Sequence, residues 1–144
     1  MISPDGKLLS FHAIDSTGKD MIWIRPVNSL DAYPLAGTEN ANRHFWSPDS
    51  QYIAFFSRNQ LKKMPVAGGP AQLICEAKSG SDGTWGSAGI ILFDGTSTDS
   101  IRQVAAAGGT VTAATVLNRK EGESYHAWPW FLPDGNHFLF LSPT

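Results

Sequence analysis

Phe45-Trp46-Ser47-Pro48-Asp49-Ser50-Gln51-Tyr52-Ile53-Ala54-Phe55-Phe56 is the stretch that decides the fold. An aromatic pair leads into a Ser-Pro-Asp turn, and a β-rich apolar run follows. Proline presets φ and aspartate accepts from nearby backbone N–H groups, so the turn has a mechanism. Versions of it recur at Ser3-Pro4-Asp5-Gly6, at the eroded Gly86-Ser87-Ala88-Gly89 and at Leu132-Pro133-Asp134-Gly135. The copies lie roughly 40 to 45 residues apart, a period that signals a repeat architecture. A large apolar residue precedes each turn: Ile2, Trp46, Trp85 and Phe131.

Working outward, each turn opens a run ending in Phe: Leu8–Phe11, Tyr52–Phe55, Ile90–Phe93 and His137–Phe140. A third element is Ile22–Val27, matched by Leu61–Val66 and Ile101–Ala106. The last two lead into Gly68-Gly69 and Gly108-Gly109. A fourth run follows at Tyr33–Leu35, Gln72–Cys75 and Val111–Leu117. Every unit therefore reads as four short strands, A to D, with glycine-rich turns between them. The best helical stretch, Val104–Ala107, is stopped at once by two glycines. Four strands per repeat of this length is the β-propeller blade pattern.

The phrases beginning Ile2-Ser3-Pro4-Asp5-Gly6, Phe45-Trp46-Ser47-Pro48-Asp49 and Phe131-Leu132-Pro133-Asp134-Gly135 resemble PD40/TolB-like (WD40-like) propeller repeats. The segments 37–50, 64–75, 108–113 and 126–135 resemble something narrower, the C-terminal propeller of bacterial serine/threonine kinases. The kinase part is absent: no Gly-rich nucleotide loop, His-Arg-Asp or Asp-Phe-Gly occurs, so no kinase activity is implied. The resemblance implies an all-β propeller, commonly six-bladed and outside the membrane.

Counted in strands, the 144 residues hold B-C-D, two full A-B-C-D units, then A-B. They are read as one partial propeller domain with units 1–40, 41–80 and 81–122 and a partial unit 123–144. Three blades do not close a ring. An uncovered blade flank of ~400 Å² at ~25 cal/mol/Å² leaves on the order of 10 kcal/mol of burial unrealised. The expected remedy is a second copy, arranged head to tail as a C2 homodimer, making a six-bladed ring.

Net charge is −2 and basic residues are scattered, which gives no electrostatic footprint for nucleic acid or an anionic membrane. There is no apolar run of membrane-spanning length and no export signal, so the chain as written reads as cytoplasmic. Cys75 is the only cysteine. It has no intrachain disulfide partner and reads as a small buried hydrophobe.

Propeller ligands bind at the central channel, which the inner A strands and the D-to-A loops line. Those loops are Asn40–His44, Ser79–Thr84 and Glu121–His126. The ligand candidates are Arg43, His44, Asp82, Tyr125 and Trp130. Tyr125 and Trp130 would stack on a sugar or aromatic group. His44 and His126 each stand two residues before a tryptophan. Together with Asp82, Glu121 and Glu123 they are the residues for a divalent metal, zinc, manganese or calcium. The competing reading is that they cap strands and bridge blades by hydrogen bonds, with no cofactor. The Asp94–Ser100 loop lacks EF-hand spacing and reads as a solvated hairpin. Trp85-Gly86-Ser87-Ala88-Gly89 misses the serine-hydrolase elbow at its first position.

Two functions follow. The first is a binding, scaffold or sensor module taking a peptide, protein or small molecule at its channel face. The alternative is a metal-dependent promiscuous hydrolase, esterase- or phosphotriesterase-like, completed by dimerisation. No residue is assigned a catalytic role.

Overall fold

The computed structural model describes residues 1–95 and 99–144, and these hold thirteen strands and a single 3-10 turn, joined by turns and loops. The first sheet contains β1 (Leu8–Ile14), β2 (Asp20–Pro26) and β3 (Tyr33–Pro34) in that order. Ile2 adds one bridge to Leu9, at the place of an inner strand. The second sheet is β4 (His44–Trp46), β5 (Tyr52–Ser57), β6 (Gln60–Pro65) and β7 (Gln72–Glu76). The third is β8 (Gly83–Trp85), β9 (Ile90–Phe93), β10 (Arg102–Ala105) and β11 (Thr112–Ala113). The fourth pairs β12 (Ala127–Phe131) with β13 (Phe138–Leu141). All pairings are antiparallel between consecutive strands. This is an all-β β-propeller arc: two complete four-stranded blades flanked by a three-stranded and a two-stranded one. Val104–Ala107, the best helical stretch in the sequence, ends β10 and enters a turn instead.

The repeated turns do what their residues dictate. In the first, Ser3 Oγ donates to Asp5 Oδ1 (2.6 Å) and accepts from Leu8 N (2.9 Å). The second repeats this, with Ser47 Oγ donating to Asp49 (2.6 Å) and accepting from Tyr52 N (2.8 Å). Gly89 N still donates to the Gly86 carbonyl in the eroded third copy, so the backbone turn survives without its side chains. Ser50 holds φ at +61° where the other three copies have glycine. Its Oγ accepts from Asp5 N (3.1 Å), tying the second turn to the first.

Strand alternation builds the core between sheets. On β5, Ile53 and Phe55 face Ile22, Ile24 and Leu35 of the first sheet region. Ala54 and Phe56 face Ile91, Phe93 and Val104 of the third. One strand therefore serves two cores. Cys75 lies in the second of these clusters, and burial pushes its thiol up to about 11. No helix among the described residues is long and apolar enough to cross a membrane.

Candidate functional site

β4 begins where the chain comes in from the loop Asn40–Arg43, and its first residue is His44. His44 pairs with Phe55 in register, which fixes its backbone in the second sheet. Its side chain reaches across to the first sheet. His44 Nε2 lies 2.8 Å from Ser10 Oγ, and Nδ1 lies 3.2 Å from Nε2 of His12. His12 in turn places Nδ1 3.7 Å from an Asp20 carboxylate oxygen. Burial, assisted by the neighbouring His12, lowers His44 to about 4. The ring is therefore neutral at pH 7, with one nitrogen donating and the other accepting between Ser10 and His12.

In front of these side chains opens a cleft of about 630 Å³, lined by His12, Asp20, Asn42, Arg43, His44 and Ser81 among others. Arg43 reaches Asp82, at the start of the next inner strand, at 3.4 Å. Desolvation raises Asp82 above the ordinary carboxylate range, against the lowering effect of the Gly83 N–H and Arg43. Asp94, buried just past β9, holds this loop down: its Oδ1 accepts from Ser81 N, Ser81 Oγ and Asp82 N at 2.8 to 3.1 Å.

Three sequence candidates, Arg43, His44 and Asp82, thus meet at one end of the inner strands. The others do not join them. His126 is buried with both ring nitrogens engaged, Nδ1 at 2.8 Å from Thr115 Oγ1 and Nε2 at 3.2 Å from Glu123. Glu123 also accepts from Asn118 N and Ser142 Oγ, and these bonds hold its carboxyl below the usual range. Glu121 ends the exposed 3-10 turn, and Tyr125 is half-buried beside His126. Trp130 lines a different cleft, of about 520 Å³, with Trp46, Trp85 and the prolines of three turns. That cleft lies at the opposite end of the inner strands. The buried Nε1 of Trp46, beside it, has no hydrogen-bond partner among the described residues. Of the Asp94–Ser100 loop, residues 96–98 lie outside the described residues.

Among the described residues, no group of three or more His, Cys, Asp or Glu side chains is arranged for a metal ion. His12 is the residue that sequence reading misses. It sits one place after the Phe that ends its run, where the later units have Phe56, Asp94 and Leu141. The repeat alignment carries the signal: two of the four residues at this place are polar, and both contact a D-to-A loop or the inner strand it leads into.

No family model and no curated protein matches the chain. Solved structures do. A protein assigned as TolB from Agrobacterium tumefaciens superposes with a TM-score of 0.82 at 21% identity, over 99% of this chain and 52% of its own. TolB from Acinetobacter baumannii gives 0.76 at 14% identity, over 96% of this chain and 36% of its own. The β-propeller domain of the Trilobed protease from Pyrococcus furiosus, described as having an open velcro topology, gives 0.56 at 19% identity over 74% and 38%. At these identities the likeness is one of fold, a TolB-like β-propeller. The chain spans about half the length of the first of these proteins and about a third of the second.

Proposed function

We propose that the chain is a β-propeller binding or scaffold module that takes its ligand at the end of the inner strands where Arg43, His44 and Asp82 meet. One observation carries this reading: the open cleft of about 630 Å³ presents a cation, an imidazole and polar loop groups from adjacent sheets. A concave site with a few convergent polar groups is where ligands bind. The ligand is a peptide, a protein segment or a small molecule, with an acidic group opposite Arg43. The resemblance of segments 37–50, 64–75, 108–113 and 126–135 to the C-terminal propellers of bacterial serine/threonine kinases favours a sensor role.

The incomplete ring is closed by a second copy of the chain. The fourth sheet leaves Trp128, Trp130 and Leu139 each at least 60% exposed, an apolar flank of the kind that marks an interface. Two copies also supply about the length of the Agrobacterium protein, of which one copy covers 52%.

Panning a random peptide library against the chain tests the ligand site. Peptides that bind should lose at least 10-fold in affinity for Arg43→Ala and none for Trp130→Ala; the opposite pattern would relocate the site to the turn side. Light scattering tests the ring. A particle of 15.6 kDa at every concentration would end the two-copy reading.

A further inference from the structure

We propose that His12 and His44 together bind one divalent transition-metal ion, zinc first among them, on the wall of the cleft between the first and second sheets. The ligating atoms are His12 Nε2 and His44 Nδ1, which stand 3.2 Å apart. Two imidazole nitrogens bound to one tetrahedral zinc at ~2.0–2.1 Å lie about 3.3 Å from each other. The rings are already at the separation that an ion between them requires. Their planes are inclined at 57° and their centroids are 5.1 Å apart, so the rings meet at an angle rather than lie in one plane.

The outer nitrogen of His44 is hydrogen-bonded, and that of His12 lies near a carboxylate. His44 Nε2 engages Ser10 Oγ at 2.8 Å, and His12 Nδ1 faces the Asp20 carboxylate at 3.7 Å. In the metal-free chain the two inner nitrogens share one proton as a hydrogen bond at 3.2 Å, and an ion entering between them would displace that proton. Ser10 and His44 are buried, whereas the His12 side chain is 34% exposed, so an ion reaches the pair from the cleft. Coordination positions not filled by protein face the same cleft and take water or a small ligand.

The fold does not require this pair. In the second sheet the place of His12 is taken by Phe56, packed between Phe45 and Phe93 with ring centroids 6.2 Å away on either side. An apolar contact is thus sufficient at the next junction, and the two histidines replace it at a cost in desolvation. Donor chemistry selects the ion. Two imidazoles without an inner carboxylate suit zinc, copper or nickel, not calcium, magnesium or manganese. With two protein ligands the site is weaker than a closed three- or four-ligand centre.

Calorimetric titration of the chelator-stripped full chain with zinc chloride tests this. One ion per chain should bind, at least 10-fold more weakly in His12→Ala, whose partly exposed side chain can be removed without unfolding the sheet. His44→Gln should behave alike, with circular dichroism reporting the fold; should it unfold, His12→Ala alone decides. His126→Ala and His137→Ala should leave the affinity unchanged. Nitrogen-15 spectra of the rings should show zinc moving the His12 and His44 signals and no others. Zinc affinity equal in wild type and His12→Ala, or lost in His126→Ala instead, would overturn the site.

Discussion

The second and fourth sheets are built from the same repeated phrase, yet they live in different surroundings. From Ile53 to Ser57 every residue of β5 is buried. On β13, Leu139 is 61% exposed, and Phe140 and Leu141 also reach the surface. The inner strands differ as well. β4 is regular, whereas β12 breaks register between Ala127 and Trp130 and holds Trp128 at φ +52°. The same local code therefore makes the same strand and turn, and only a neighbour on each side turns a strand into core. The left-handed backbone of a bulky residue is costly and persists where its surroundings enforce it.

Substitutions can break or sharpen this contrast. The largest effect should come from Phe55→Ala, a fully buried side chain, which should cost about 3–5 kcal/mol in denaturant unfolding. Phe140→Ala should cost well under half as much in the dilute single chain, where the fourth sheet is uncovered, and more at concentrations where a second copy covers it. Equal losses would show that the fourth sheet is covered in solution, as the two-copy ring requires. Next comes Gly83→Ala. An added Cβ would stand 2.7 Å from the Phe45 ring and 2.9 Å from the Leu92 carbonyl, so the overpacked junction should lose about 1–3 kcal/mol. Trp128→Gly separates two effects: in the dilute single chain, releasing the left-handed strain should stabilise by about 1 kcal/mol, and where a second copy covers the ring the substitution should destabilise instead. A loss of stability that grows with protein concentration would reveal that burial.

The smallest effect concerns acid. Hydrogen bonds from His137 and Asn136 depress Asp134 to about 2, and Ser3 and Ser47 lower Asp5 and Asp49. A depressed carboxylate contributes stability that is present above its unfolded pKa, near 3.8, and lost as pH falls through its folded value. Unfolding followed between pH 4 and pH 2 should show that loss. Replacing all three by Asn should flatten it, and a slope unchanged by the replacement would remove the turns as its cause.

The fold was legible because turn and strand preferences are local. Ser-Pro-Asp-Gly specifies its own hydrogen bonds, and Leu-Ser-Phe or Ile-Ala-Phe alternates as a strand does. All thirteen strands fall on or beside the runs that the repeat marks out. The site was legible only in part, because it is made between units. Arg43 and Asp82 lie on loops, and His44 opens β4 beside one, where polarity is visible in one dimension. The partnership of His44 with His12 depends on sheets whose relative placement no run of residues states. His126 and His44 occupy equivalent places beside a tryptophan, yet Thr115 and Glu123 hold one ring and Ser10 and His12 the other. Equivalence in the repeat did not extend to equivalence of surroundings.

The division of β5 between two cores has a mechanical consequence. Ile53 and Ala54 are chain neighbours, but a disturbance at one loosens the joint with the first sheet and at the other the joint with the third. The wall is shared, so neither room can be emptied without shaking the next. From Ile53 to Ser57 the strand has no solvent face on which to absorb a change.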